Sequence, residues 1–133
     1  EAPRRLATRL VRWAAGGATE PFEIRGDGGN LIDMMYVSDA VRGIKEVIAS
    51  GVSDEVVDFA TGKPLSISDL VHCAARVLDV QGAQVRHVGE VSVYQEFTAS
   101  GRRMKELFDF TPEVPLEQGL LEFKKHLSTV NDS

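Results

Sequence analysis

Metal, nucleophilic and acid–base chemistry each need particular side chains at particular spacings, and few residues here meet those needs. The histidines stand at 72, 87 and 126, and the single cysteine is Cys73. That scatter contains no zinc-type ligand spacing, and one thiol closes no internal disulfide. His72 and Cys73 fall in a helical stretch with nothing nearby in sequence to activate them, so both read as packing or surface residues. A phenol used as acid/base is helped by a lysine one helical turn further on. Tyr36 is followed at that spacing by Ala40, and Tyr94 by Thr98, so neither forms the pair. No Gly-x-Ser-x-Gly nucleophile turn occurs. The only glycine cluster is Gly26-x-Gly28-Gly29. A dinucleotide fingerprint needs a third glycine two positions later and a helix opening at the turn, so that its amides face a pyrophosphate. Asn30 and Leu31 lead instead into an extended segment. Residue types alone thus give no self-contained catalytic apparatus.

One charged feature stands out. Arg5, Arg9 and Arg12 share a stripe of the first helical segment, which serves either as a solvated flank or as an anion-facing surface, with Arg9 in reach of Trp13 for a cation–π contact. The opposite stripe of that segment is apolar: Pro3 suits a first helical position, Leu6, Leu10 and Trp13 recur at helical spacing, and Gly16-Gly17 ends the run. Pro21 to Arg25 alternates like a short strand and enters the turn Gly26 to Asn30. Met34 to Val37 reads as an extended run, followed by Ser38 or Asp39 as a helix cap. Val37, Ala40, Val41, Ile44, Val47 and Ile48 then define one helix face, with Gly51 as its stop. Val56 to Ala60 reads as a strand closed by Thr61 to Pro64. Ser66-x-x-Asp69 is a near capping box for a helix that buries Leu70, Val71, Ala74, Val77 and Leu78. Gln84 to Val88 forms another strand, and the stretch to Phe97 is poorly periodic. Ser100 is placed to cap a helix with Met104, Leu107 and Phe108 inward, ended by Thr111-Pro112. Val114-Pro115 opens a last helix carrying Leu116, Leu120, Phe123 and Leu127, with a frayed tail from Thr129.

These elements make one α/β unit over residues 1–133, with about five helices and three to five short strands. The chain has 133 residues, 43% apolar and 26% charged, enough for one core without a structural metal. A formal charge of −5 argues against a nucleic-acid platform, although Arg4, Arg5, Arg9 and Arg12 crowd the start. Apolar runs are too short for a membrane span and no signal-peptide order occurs, which makes a cytoplasmic protein the expectation. The chain opens on Glu1 rather than Met, as expected of a piece of something longer.

Several motifs occur in a telling order: Gly26-Asp27-Gly28, Asp33, Tyr36-Val37-Ser38-Asp39-Ala40-Val41, Ala60-Thr61-Gly62, Ser66-Ile67-Ser68-Asp69-Leu70, Gly89-Glu90-Val91, Thr111-Pro112 and Leu116-Glu117-Gln118-Gly119-Leu120. In this order, across residues 3–127, the chain resembles the C-terminal, substrate-binding part of the NAD(P)-dependent nucleotide-sugar epimerase/dehydratase family, the extended short-chain dehydrogenases. The resemblance implies that the Rossmann half, with NAD or NADP and the catalytic Tyr/Lys pair, lies on an upstream cofactor domain, leaving no cofactor or catalytic residue in this chain. It implies a sugar nucleotide or related small molecule as the substrate. Main-chain groups of Phe22, Glu23 and Ile24 are the candidate contacts to the nucleotide base, with Gly28 and Asn30 lining the mouth of the site.

Two departures from the family pattern bear on that substrate. An arginine commonly precedes the aspartate matching Asp33, where it grips the diphosphate; here the residue is Ile32. The second family arginine falls on His87, with Arg86 adjacent but on the other face of its strand. Arg86 and His87 are therefore the remaining side-chain candidates, and a non-catalytic binding or assembly module derived from the same fold is the alternative. Without its upstream domain the chain is expected to self-associate as a homo-oligomer through an uncovered apolar surface around Val56, Val57 and Phe59 and the first helix's apolar face.

Overall fold

A computed structural model describes residues 3–90 and 98–131. Five helices and four short strands follow in the order α1 (Pro3–Ala15), β1 (Phe22–Arg25), β2 (Leu31–Ile32), α2 (Val37–Ser50), β3 (Leu65–Ser66), α3 (Ile67–Val77), β4 (Val85–Val88), α4 (Arg102–Phe108) and α5 (Leu116–Asn131). The α/β class and the numbers of helices and strands agree with the sequence. Val91 to Phe97, within the poorly periodic stretch, and the last two residues of the tail lie outside the described residues, while the helix continues to Asn131.

The core sits where α1, α3 and α5 meet the inner face of β1. Leu6, Leu10 and Val11 of α1, Leu70, Val71 and Ala74 of α3, Leu120 of α5, and Phe22 and Ile24 of β1 are all nearly or fully buried. The sheet is small. β1 runs parallel to β4, pairing Phe22 with Val85, Glu23 with Arg86, Ile24 with His87 and Arg25 with Val88. β2 and β3 make a second, antiparallel pair that joins Leu31 to Ser66 and Ile32 to Leu65. Alternation along β1 sends Phe22 and Ile24 into the core and Glu23 and Arg25 to solvent. α3 starts as its sequence predicts: the Ser66 hydroxyl accepts from the Asp69 amide at 3.0 Å and donates to the Asp69 carboxylate at 2.7 Å.

Several expectations fail for identifiable reasons. The extended run ends at Tyr36, whose backbone is extended, because Val37 already opens α2, and the cap of α2 is Tyr36 rather than Ser38 or Asp39. The Tyr36 ring lies against Gly119 of α5, where a methyl group would come within 3.2 Å of it, and this anchor sets the helix start. The α4 cap position falls on Gly101, whose φ of +68° brings it so near Ala60 that a Cβ would lie 2.8 Å from the Ala60 carbonyl, while the Ser100 hydroxyl still accepts from the Arg102 amide at 3.3 Å. Val56 to Ala60 forms no strand. Among the described residues no strand lies beside residues 52–60 to pair with them, and they make no backbone–backbone hydrogen bond there; Val56 is 92% exposed. The apolar face that the spacing defines on α2 points outward, with Val37, Val41, Ile44 and Ile48 all exposed. Conversely, the apolar face of α1, expected to be uncovered, lies in the core.

Candidate functional site

The parallel ladder with β4 uses alternate residues of β1. Phe22 donates to the Gln84 carbonyl at 2.8 Å and Gly26 to the Val88 carbonyl at 2.9 Å, so Phe22, Ile24 and Gly26 direct their main chain toward β4. Glu23 and Arg25 direct theirs to the free edge. Of the three candidate main-chain contacts, Glu23 alone opens outward, and its carbonyl already accepts from the Arg9 guanidinium at 2.9 Å. Arg9 lies 4.9 Å above the Phe22 ring, correcting the expected stacking on Trp13. Trp13 instead meets Phe22 edge-on, with ring centroids 5.4 Å apart, and its indole donates to the Glu20 carbonyl at 2.8 Å.

These residues line an open cleft of about 420 Å³ along the outer edge of β1. Arg9, Arg12 and Arg86 bring three guanidinium groups to it, on an aromatic wall of Trp13 and Phe22. Arg86 forms an ion pair with Glu23, its direct partner across the ladder. The cleft gathers Phe22, Glu23 and Arg86 from the sequence candidates and adds Arg9 and Arg12, which the basic stripe of α1 had marked as one of two open readings.

The other candidates lie apart from this cleft. Ile24 is buried in the core, 3% exposed. Gly28 and Asn30 support the start of α3: the Gly28 carbonyl accepts from the Ser68 amide and the Asn30 carbonyl from the Ile67 amide, each at 3.0 Å. Gly28 has φ +76°, and a Cβ there would lie 2.2 Å from the Ser68 hydroxyl, so glycine is required by both backbone and space. His87 points away from Arg86, as strand alternation demands, and its Nδ1 donates to the Gly26 carbonyl at 2.9 Å. Ile32 is half-buried in the β2–β3 pair.

Two aspartates hold the frame around the site. Asp33 accepts from the Thr61 hydroxyl and from the Thr61 and Gly62 amides at 3.0 and 2.9 Å, closing the loop after residues 55–60 onto β2. Asp39, only 2% exposed, accepts from the amides of Glu113 and Val114 at 3.0 and 2.8 Å and from Arg42 at 2.9 Å. Burial works against its charged form, but those two amides and the Arg42 guanidinium outweigh it and hold the carboxyl below the ordinary aspartate value. Asp39 is thus a tie between α2 and the segment entering α5. Sequence order placed it at a helix start, but nothing local signalled partners more than seventy residues away. Cys73 is half-buried, and burial followed by the nearby Glu117 carboxylate pushes its thiol upward, away from nucleophilic use.

The Gly26 to Asn30 turn does not fit a dinucleotide. Its Gly26 amide is spent on Val88, its Gly29 amide on the Asp27 side chain, and the chain proceeds into β2 instead of a helix. Among the described residues no group of three or more His, Cys, Asp or Glu could hold a metal ion, and no helix is long and apolar enough to cross a membrane.

The fold and the order of its motifs match those of the C-terminal part of extended short-chain dehydrogenases. No family model matches the sequence, but relatives and solved structures do. The dTDP-glucose 4,6-dehydratase of Streptomyces griseus is 27% identical over 119 residues, covering 89% of this chain and 36% of that protein. The structure of MoeE5 with UDP-glucose and NAD matches 98% of this chain and 43% of its own, at 26% identity and a TM-score of 0.76. RMD from Pseudomonas aeruginosa, complexed with NADPH, shares the fold over 94% of this chain and 42% of its own, with a TM-score of 0.81 and 15% identity. The chain is similar to the C-terminal part of NAD(P)-dependent nucleotide-sugar epimerases and dehydratases and spans about two fifths of the length of these proteins.

Proposed function

We propose that this chain is the substrate-binding portion of an NAD(P)-dependent sugar-nucleotide epimerase/dehydratase-like enzyme and is not catalytic by itself. On this reading, residues 1–133 form a single substrate-binding domain, and other polypeptide supplies the dinucleotide, the hydride chemistry and the acid/base pair. The observation that carries the proposal is the Gly26 to Asn30 turn. Nearly the whole chain aligns with a dehydratase, yet its only glycine cluster supports α3 and runs into a strand. The chain's own contribution is to orient its ligand at the free edge of β1. Trp13 and Phe22 supply an apolar wall, while the Glu23 main chain and the Arg86 guanidinium supply polar contacts once the Arg9 and Glu23 side chains exchange partners.

Calorimetric titration of the chain with UDP, dTDP and NADH tests this. Binding of one nucleoside diphosphate without NADH is the expected result, weakened by Arg86→Ala; micromolar NADH binding overturns the proposal. A second reading, a non-catalytic binding or assembly module, is favoured by Ile32 in the sheet and by His87 held on the Gly26 carbonyl, which leave both family arginine positions without a free cation. It expects neither nucleotide to bind.

A further inference from the structure

The Glu23 carbonyl is the acceptor that β1 turns to its outer cleft, and the chain's own Arg9 already holds it at 2.9 Å. The Arg9 guanidinium is steadied from a second side by the Phe22 ring, 4.9 Å away, and Phe22 is met edge-on by Trp13. Arg12, one helical turn further along α1, lines the same cleft; among the described residues no hydrogen bond or ion pair engages its side chain. The acidic residues of the cleft are Glu20 and Glu23, and the Glu23 carboxylate is taken by Arg86. Two neighbouring arginines of α1 therefore differ in standing. One occupies the strand's acceptor, and the other faces solvent.

We propose that Arg9 is a charge-selective gate on the β1 edge, which admits a ligand carrying phosphate and turns away its neutral counterpart; the proposal rests on the substrate-binding reading above. Any ligand that pairs with the Glu23 carbonyl must first break the Arg9 bond. A neutral nucleoside gives the guanidinium nothing in return, so the loss of that charge-assisted bond opposes its binding. A nucleoside diphosphate brings acceptor oxygens of its own. The released Arg9 guanidinium turns onto them from its place over Phe22, and Arg12 beside it offers a second fork of donors. One exchange of partners thus works against the neutral ligand and for the anionic one. α1 thereby supplies, from a different element, the pair of guanidinium groups that Ile32 and His87 do not. A guanidinium that served only to pin α1 to β1 would show no such preference.

NMR titration of the full chain with UDP and dTDP, each compared with its own nucleoside and read at the Trp13 indole N–H, tests the proposal. The parent should bind its preferred diphosphate at least about a hundredfold more tightly than the nucleoside. Arg9→Met keeps an aliphatic stem over Phe22 and removes the donors. It should tighten the nucleoside about tenfold and weaken the diphosphate about tenfold. Arg12→Met, which releases no carbonyl, should weaken the diphosphate without tightening the nucleoside. Arg9→Leu should repeat the opposed shifts if circular dichroism shows that Arg9→Met has lost helix. If the parent binds a diphosphate but the Arg9 variants move both ligands in the same direction or move neither, or if Arg12→Met also tightens the nucleoside, the gate is overturned and the substrate reading stands. If no diphosphate binds the parent, the substrate reading fails and the gate falls with it.

Discussion

Asp39 and Gly28 show how single residues hold this fold through contacts distant in sequence. Asp39 is a buried carboxylate with three donors, and its lowered pKa makes it a pH-dependent contribution to stability. The unfolded chain takes up its proton near the ordinary value of about 3.9 and the folded chain only at lower pH. Its stabilisation is therefore complete above the unfolded pKa and disappears as pH falls through the folded one. Asp39→Asn retains one acceptor oxygen but loses the charge that Arg42 and the two amides address. It should cost about 2–3 kcal/mol at neutral pH, with variant and parent converging as pH falls below the carboxylate range. Urea unfolding across that range checks this; a constant difference down to pH 2 would mean that the ionised carboxylate is not the stabilising form. At Gly28, alanine meets both the left-handed φ and the Ser68 hydroxyl, so Gly28→Ala should destabilise by at least about 2 kcal/mol. Pairing it with Ser68→Ala should recover part of that loss in a double-mutant cycle, because the second change removes the nearest clashing atom but not the backbone strain.

At the scale of elements, legibility followed how local the determining contacts are. Ser66 caps α3 because its hydroxyl can reach an amide three residues on, a relation contained within four residues of sequence. Ser66→Ala should accordingly cost about 1 kcal/mol in urea unfolding, and a variant as stable as the parent would deny the cap any net role. α1, α3 and α5 were readable from apolar spacing, and β1 and β4 from their short β-prone runs. The cap of α2 was misread because Tyr36 is fixed by a ring contact with Gly119, more than eighty residues away, which outweighs the local preference for Ser38 or Asp39. The cap position of α4 fell one residue later, on Gly101, for a related reason, the close approach of Ala60, although the Ser100 hydroxyl still accepts from the Arg102 amide. In the candidate site, Phe22, Glu23 and Arg86 were legible as strand residues. The cleft they share with Arg9 and Arg12 depends on α1 lying along the edge of β1, a tertiary relation that spacing within either element does not encode.

At the scale of the molecule, an apolar helix face says that something must cover it but not what does. The pattern of α1 and that of α2 are equally amphipathic; α1 turns its apolar stripe to α3 and β1, whereas α2 keeps its own outward. The same asymmetry runs through residues 52–60, whose β-prone sequence finds no strand to pair with among the described residues. Stability should therefore be unevenly distributed. α1, α3, α5 and the β1–β4 ladder share one core of fully buried side chains, so their amides open only when that core is broken. α2 is held through Gly43, Asp39 and Arg42, and the segment after it through the Asp33 contacts to Thr61 and Gly62 and an ion pair of Glu55 with Arg103 at 2.5 Å. Hydrogen exchange at low concentration should show residues 52–60 exchanging first and α2 next, with α1 and α3 protected up to the global unfolding free energy. If α2 is instead as protected as α3 in dilute solution, its outward face contributes no weakness, and the division of this chain into a buried core and a lightly held flank is wrong.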